Sequence, residues 1–465
     1  MEAGILSLIP AVTAVVLAFL FKEAIFSLTI ACIMGVLIAG NGLKGVPETM
    51  IGAIGKGGFA WLLLVIVFIG ILVAFLQKSG ALQSFSIRIR KKAYSRNHSQ
   101  FIAWLLGLFI FYADYFSALF VGPVLRDMTD RAKISREKFA YIVDSTAAPV
   151  CTIIPITTWV VYIVGILVGL EYVGDQAAAS SLFLNSIPFN FYSLLAVIMV
   201  AVIAIGLLPD FGPMKKAEKR AMEKGLLLAE GATPMMGKEL IDIQPKEGAN
   251  PNLFITFFFP VILLVSVSVL SYFITGTPWI LESFMIAVAF LGVTLRIQGL
   301  ANFKEIMDTA INGVKGIVPA VIITALAYTL NDVTKELGTA DYVISLTKSW
   351  ATPTFIMLLA FIVSGFISFF TGTSWGTFAI MLPIAIPMAF DYTGGETTTL
   401  VYATLAAVTG GGVFGDHCSP LSDTTILSSL GCACDHMDHV KTQAPYALCV
   451  GGVAALFYVF IGFIV

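Results

Sequence analysis

The sequence predicts an all-α polytopic membrane protein. Of its 465 residues, 58% are hydrophobic and only 12% are charged, whereas a soluble domain is about 45–50% apolar and about 25% charged. The apolar residues also form long runs, such as 5–20, 60–76, 189–208 and 253–274. Each run approaches the roughly 20 residues that a helix needs to cross a bilayer. Composition and run length together exclude a soluble enzyme and a nucleic-acid-binding protein.

Clusters of basic residues predict the topology. Lysine and arginine concentrate in 78–96, 126–138 and 210–250. The positive-inside rule places these three regions in the cytoplasm. Residues 171–186 contain acidic but no basic side chains, and we expect this segment to be an external loop.

A re-entrant hairpin is predicted between the first two basic regions, because the chain must enter and leave the membrane on the same side. The apolar stretch 101–125 is too short for two full spans. Asp114 lies in its middle, where a lipid-facing carboxylate would cost about 2.5–3.5 kcal/mol. A hairpin with 112–116 at its tip explains both facts. The alternative is one ordinary membrane span that contains this aspartate.

The chain contains a duplicated unit. Gly58 and Gly80 recur 258 residues later, and Pro123 recurs 260 residues later. Each copy holds five spans and one hairpin, and an odd number of spans requires the second copy to be inverted. We therefore predict a first repeat over 1–208 and a second over 251–465.

The elements of the two repeats follow in order along the chain. The first repeat is predicted to contain spans 5–20, 23–40 and 60–76, the hairpin, an interrupted span 139–169 and a last span 187–208. The second is predicted to contain spans 253–274, 279–297 and 317–332, a hairpin 354–390, an interrupted span 400–430 and a last span 445–464. Between them, 209–250 is interpreted as a cytoplasmic linker that only connects the repeats, with a short solvated helix where lysine and glutamate alternate over 214–230.

The segment 409–425 concentrates residues that break helices. Its four glycines each cost about 1 kcal/mol of helix propensity, and Pro420 lacks a backbone donor, so we expect the helix to unwind here. The freed carbonyl groups would lie beside Asp416 and Asp423. Oxygen ligands of this kind suit a small alkali cation, and the neighbouring hydroxyls are those of Ser419, Ser422 and Thr424.

A matching segment in the first repeat begins at Asp144 and contains two prolines. Asp114, Asp144, Asp416 and Asp423 are therefore predicted to bind a cation or a proton at one level, although any single aspartate could instead cap a half-helix. His417 is expected either to tune their titration or to orient Asp416. The remaining residues predicted to line the cavity are Ser117, Ser145, Thr146, Thr373, Ser374 and Thr377.

Inverted repeats with broken helices are typical of secondary transporters that bind their substrate near the membrane midplane. The sequence lacks a phosphate-binding Gly-x-x-x-x-Gly-Lys-[Ser/Thr] loop, so ATP drive is not expected. Burial disfavours the charged form of a carboxylate. Either a proton or a bound cation can neutralise that charge, but the two cannot both do so fully at the same time. Competition between them for one carboxylate predicts cation/proton exchange.

The run Gly-Gly-Val-Phe-Gly-Asp416-His417-Cys-Ser-Pro-Leu-Ser-Asp423-Thr-Thr resembles the NhaC-type sodium/proton antiporter family, as do the segments that start at Asp144 and Gly372. The resemblance implies the ion-transporter superfamily, whose members are typically dimers with a scaffold domain and a moving transport domain that carries the hairpins. It implies sodium and protons as partners in the cytoplasmic membrane, with no cofactor and no metal beyond transported sodium.

The family also contains carriers of organic acids and amino acids, so a sodium- or proton-coupled carrier of an amino acid or small carboxylate is the alternative function. Aromatic residues near the predicted site could contact the apolar part of such a substrate. We favour a packing role for these residues, which are Tyr112, Tyr115, Phe116, Trp159 and Trp375.

Overall fold

The computed structural model confirms the all-α prediction. It describes residues 3–21, 23–82, 84, 95–111, 114–155, 157–168, 170, 172–236, 243–246, 251–275, 279–347 and 352–465. Within these ranges the regular structure is helical, apart from one isolated bridge between Pro234 and Asp435. Most of the basic cluster 78–96, and Tyr112 at the predicted hairpin tip, lie outside the described residues.

The helices of the first half are α1 Ile9–Phe21, α2 Ala24–Ile38, α3 Gly45–Ile54, α4 Gly57–Lys78, α5 Arg96–Phe109, α6 Asp114–Arg131, α7 Arg136–Ser145, α8 Ala148–Cys151, α9 Thr158–Val168, α10 Gln176–Ser186 and α11 Phe191–Ala204. The linker contains α12 Gly212–Lys224. Those of the second half are α13 Phe259–Thr275, α14 Ile280–Ile297, α15 Phe303–Gly316, α16 Val318–Glu336, α17 Thr339–Thr347, α18 Ile356–Thr371, α19 Ser374–Tyr392, α20 Thr399–Cys418, α21 Asp423–Gly431 and α22 His436–Gly462.

Several of these helices can cross a membrane, so this is a multi-pass membrane protein. Among the described residues, five helices are long and apolar enough, or up to seven if two bent pairs each form one span. Four further apolar helices are shorter. The spans predicted at 60–76, 279–297 and 317–332 correspond to α4, α14 and α16.

Four of the described helices, α3, α10, α15 and α17, were not predicted. Segment 176–186 was interpreted as part of a loop but forms α10, because the Asp175 side chain accepts a hydrogen bond from the backbone of Ala178 at 2.8 Å and caps the helix. Helices α3 and α15 were missed because they are short or amphipathic. α15 starts with a capping box formed by Asn302 and Glu305 and meets α16 at a bend of 42°.

The order of elements in the first half recurs in the second. In both halves, two apolar helices precede a shorter helix, a long helix, a helical pair of hairpin type and an interrupted helix. This recurrence agrees with the duplicated sequence. The inversion of the second copy, and the exact repeat bounds, stay predictions.

The helices pack in two sets. One set combines α1–α4 with α13–α16, and the other combines α5–α11 with α18–α22. In the first set, α4 and α15 approach so closely that a Cβ on Gly70 would lie 2.8 Å from the carbonyl oxygen of Gly313. The second set contains both hairpins and both interrupted helices.

The expected unwinding at the glycines of 410–415 is wrong. Helix α20 continues through all four of them to Cys418. These glycines permit close packing instead: a Cβ on Gly411 would lie 2.3 Å from the carbonyl oxygen of Phe361, and one on Gly415 would lie 2.0 Å from that of Gly365. The tertiary contact with α18 keeps the helix intact despite its low propensity.

The linker forms the predicted helix, but it does more than connect the two halves. One face of α12 is buried. On that face Glu218 pairs with Arg96 and lies 3.5 Å from the Lys138 ammonium, while Arg220 pairs with Glu137 at 2.7 Å. Ion pairs therefore hold the linker helix against α5 and α7, which belong to the set of helices that contains the hairpins.

Candidate functional site

The break between α20 and α21 forms the centre of the site. Helix α20 ends at Cys418, and the next residue, Ser419, has an extended backbone (φ −83°, ψ 131°), as expected for a residue that precedes proline. The Ser419 hydroxyl donates to the carbonyl oxygen of Phe369 at 2.6 Å. Ser422 then caps α21 by accepting from the backbone of Thr425 at 3.2 Å. The break therefore places Asp416 and Asp423 on two separate helix ends.

The second hairpin packs directly against this break. Gly372 ends α18 in the left-handed conformation (φ +68°), and a Cβ there would lie 2.4 Å from the carbonyl oxygen of Leu421. Thr373 caps the following helix. The hydroxyl of Ser374 donates to Asp416 Oδ2 at 2.9 Å, which joins the tip of the hairpin to the end of α20.

The first hairpin reaches the same break from another direction. Asp114 opens α6, and the neighbouring Tyr115 donates its hydroxyl proton to Asp423 Oδ2 at 2.7 Å. Asp114 and Asp423 line one cavity of about 560 Å³, together with Thr373 of the second hairpin. The two hairpins and the break therefore meet at one place.

Two carboxylate oxygens at this site accept no hydrogen bond from the described part of the chain. They are Asp114 Oδ2 and Asp416 Oδ1, and both are buried. Asp416 lies behind the cavity wall, where its other oxygen is approached by Thr424 Oγ1 at 3.5 Å. A buried acceptor without a donor is costly, so a proton or a cation at either oxygen would stabilise it.

Asp144 does not line this cavity, although its carboxylate interacts electrostatically with the two carboxylates of the break. One of its oxygens accepts from Gln443 at 2.6 Å and from Thr425 at 3.2 Å, and the other accepts from Ser428 at 3.1 Å. Helix α21 begins at Asp423, with Thr425 two residues later and Ser428 more than one turn along. Asp144 therefore contacts the same helix that presents Asp423, but outside the cavity.

His417 belongs to the surroundings of Asp144. Its Nδ1 lies 2.8 Å from the Tyr192 hydroxyl and its Nε2 lies 3.0 Å from the Ser145 hydroxyl. Nε2 is also 3.9 Å from Asp144 Oδ2. The side chain therefore hydrogen-bonds to other helices and not to its neighbour Asp416.

The other predicted residues divide into those that bind the backbone and those without a partner. Thr146 Oγ1 donates to the carbonyl oxygen of Ile142, and Thr377 Oγ1 donates to that of Thr373. The Ser117 hydroxyl is buried and has no hydrogen-bond partner in the described ranges. The hydroxyl groups of Thr146 and Thr377 therefore bond to backbone carbonyl groups one turn earlier in the chain, whereas the Ser117 hydroxyl on α6 has no partner among the described residues.

Tyr115 and Trp375, two of the aromatic residues named near the predicted site, line the cavity. Three further residues of the site are not predicted from the sequence. Trp61 and Tyr328 line the cavity from the other set of helices, and the third, Gln443, contacts Asp144. Gln443 could not be found from the sequence because it lies far along the chain from Asp144.

Comparison with known proteins agrees with this architecture. The model of the Na⁺/H⁺ antiporter family matches residues 150–463. An uncharacterized protein of Haemophilus influenzae is 31% identical over 99% of this chain and 92% of its own length.

Two named antiporters align over little more than a third of each protein. The arginine/ornithine antiporter ArcD of Halobacterium salinarum is 27% identical over 38% of this chain and 35% of its own. The malate-2H⁺/Na⁺-lactate antiporter of Bacillus subtilis is 27% identical over 37% of this chain and 36% of its own. The family match covers the second hairpin, the second interrupted helix and the break that holds Asp416 and Asp423, and the chain belongs to the Na⁺/H⁺ antiporter family.

Proposed function

We propose that this protein exchanges sodium for protons across the cytoplasmic membrane. The observation that carries the proposal is the meeting of Asp114 and Asp423 in one cavity, with a buried Asp114 oxygen that accepts no hydrogen bond from the described residues. Sodium binds oxygen ligands, as other hard cations do. A carboxylate that holds a proton cannot also hold sodium with its full charge, so occupancy by one ion excludes the other.

The division of the helices into two sets supports alternating access as the transport mechanism. The cavity lies between them, since Trp61 and Tyr328 belong to one set and Asp114 and Asp423 to the other. The set with both hairpins would move as a body and carry the carboxylates from one side of the membrane to the other. The inverted repeats, the cytoplasmic linker and the homodimer predicted from the sequence belong to this same proposal.

A sodium gradient across liposomes tests the exchange. Purified protein is reconstituted with a pH-sensitive dye inside, and sodium is added outside without any organic solute. We expect the internal pH to rise as sodium enters and protons leave, and we expect this change to vanish in Asp423→Asn, Asp114→Asn and Asp416→Asn. Asp308→Asn is the matched control, because Asp308 is exposed on α15. Exchange at the wild-type rate in Asp423→Asn and Asp114→Asn would contradict the site.

The second candidate function is a coupled carrier of a small organic substrate. The cavity is much larger than one sodium ion requires, and aromatic side chains form much of its wall. Two relatives are named as antiporters of organic compounds. If proton movement in the liposomes appears only after an amino acid or a carboxylate is added, the carrier function replaces sodium/proton exchange.

A further inference from the structure

The charged side chains in the described wall of the cavity are all acidic. Its described lining contains two carboxylates, Asp114 and Asp423, and no lysine, arginine or histidine. The Asp114 side chain is 1% exposed, and its Oδ2 accepts no hydrogen bond from the described residues. A ligand that enters this space therefore meets a wall in which carboxylates are the only charged groups among the described residues.

Aromatic side chains form about half of the rest of the described wall. Trp61, Phe284 and Tyr328 face the cavity from one set of helices, and Tyr162 and Trp375 face it from the other. The rings of Tyr162 and Trp375 pack with their centroids 4.5 Å apart, and the Tyr162 hydroxyl donates to the backbone of Trp375 at 3.1 Å. The faces of such rings attract organic cations through their quadrupoles.

The volume also fits an organic ligand. Pockets for small molecules span about 300–1,000 Å³ and combine an apolar wall with a few polar groups. This cavity has about 560 Å³. We propose that it binds a small organic ammonium ion, with the ammonium group at Asp114 and Asp423 and the hydrocarbon part against the aromatic rings. This inference rests on the proposed function, because it uses the same two carboxylates.

An organic anion does not fit this wall. A carboxylate would lie among two aspartates without a positive partner, and like charges at this depth repel strongly. An adjoining cavity of about 330 Å³ shares Asp423 and Trp375 and is lined by Lys335. A ligand with both charges, such as an amino acid, would direct its carboxylate towards Lys335, and a simple amine would occupy the larger cavity alone.

Calorimetric titration with ligands of matched size tests the inference. Purified protein is titrated with n-butylammonium, n-butanol and butanoate at constant ionic strength, and then with leucine and ornithine. We expect saturable binding of n-butylammonium at least about tenfold tighter than that of either analogue. Leucine and ornithine distinguish the sources: tighter binding than n-butylammonium indicates an amino acid, and weaker binding indicates an amine.

Variants of the wall assign the binding to this cavity. Asp423→Asn should weaken n-butylammonium binding at least about tenfold, and Trp61→Leu should weaken it roughly two- to thirtyfold, the range for loss of one cation–π contact. Trp61→Phe keeps a ring and should retain most of the affinity. Equal binding of n-butylammonium and n-butanol, or wild-type affinity in both Asp423→Asn and Trp61→Leu, would overturn the inference.

Sodium-driven proton movement is measured on the same protein preparation. Exchange without saturable n-butylammonium binding would refute the ammonium site and leave the proposed function intact. Binding without exchange would refute sodium/proton exchange and leave the ammonium site. Each of the two proposals can therefore be refuted without refuting the other.

Discussion

At the scale of single residues, the four buried aspartates differ in the hydrogen bonds that they accept. Asp144 accepts three, from Gln443, Thr425 and Ser428. Asp114 and Asp416 each have one oxygen without a donor among the described residues, and Asp423 lines the cavity. Satisfied acceptors stabilise the fold, whereas unsatisfied ones are available to an ion or a proton.

Asp144→Asn should therefore reduce stability. An asparagine turns an amide donor towards side chains that already donate, and each unpaired group costs about 1–3 kcal/mol. We expect a lower melting temperature of the purified protein, measured by tryptophan fluorescence, and no such change in Asp308→Asn.

A double variant separates this effect from the loss of charge. Asp144→Asn combined with Gln443→Glu keeps the negative charge and exchanges donor and acceptor across the 2.6 Å contact. It also removes the hydrogen bond that Gln443 donates to the carbonyl oxygen of His417 at 2.7 Å, so we expect it to restore only a part of the lost stability. Asp144→Asn with the wild-type melting temperature would show that these hydrogen bonds contribute little.

At the scale of elements, the glycines of α20 determine how closely it packs on α18. Gly415→Ala would place a Cβ about 2.0 Å from the carbonyl oxygen of Gly365. A backbone atom inside a packed helix cannot move away from this clash as a flexible side chain can. We expect a loss of more than about 3 kcal/mol, above the usual range for overpacking, or a failure to purify as a single species on size exclusion.

The matched control for Gly415→Ala is Gly452→Ala. Gly452 lies within α22, and nothing lies within 4 Å of a Cβ built there. Removing a glycine from a helix interior should raise stability by up to about 1 kcal/mol. If both alanine variants melt alike, close approach of α18 and α20 does not explain these glycines.

The docked linker depends on a buried ion cluster. Glu218→Gln removes the negative partner of Arg96, whereas Lys138 keeps Asp210 at 2.7 Å. Breaking a buried pair costs about 3–5 kcal/mol because the remaining charge, here that of Arg96, is unpaired. We expect a lower melting temperature and faster proteolysis of the linker. Glu223→Gln on the same helix is the control, since Glu223 is exposed and lies 3.9 Å from Lys219.

At the scale of the whole molecule, sodium binding should stabilise the fold. A ligand that binds only the folded protein raises its stability by RT ln(1 + [L]/Kd), about 2.7 kcal/mol at one hundred times Kd. We expect sodium chloride to raise the melting temperature of wild type and of Asp308→Asn, and to do so much less in Asp423→Asn. An equal rise in all three proteins would indicate an effect of ionic strength and no binding at this site.

Much of the site was predictable because breaks in membrane helices are local features. Pro420 and the carboxylates beside it are visible in the sequence, and irregular backbone at this depth must be packed in protein or line a cavity. The glycines of α20 were misinterpreted because propensity is local, whereas their close packing on α18 depends on a segment about 50 residues away. For the same reason, Gln443 was not expected beside Asp144.

The sequence by itself determined that this chain is a multi-pass helical membrane protein of an antiporter family and which carboxylates lie at its helix breaks. Hydrophobic runs, proline and scarce buried charge act over a few turns, so they can be read in order along the chain. Only the tertiary structure decided which carboxylates share a cavity. It left Asp144 outside the cavity that Asp114 and Asp423 line, and it placed aromatic rings from both sets of helices in the same wall, because side chains from distant segments meet only when the helices pack.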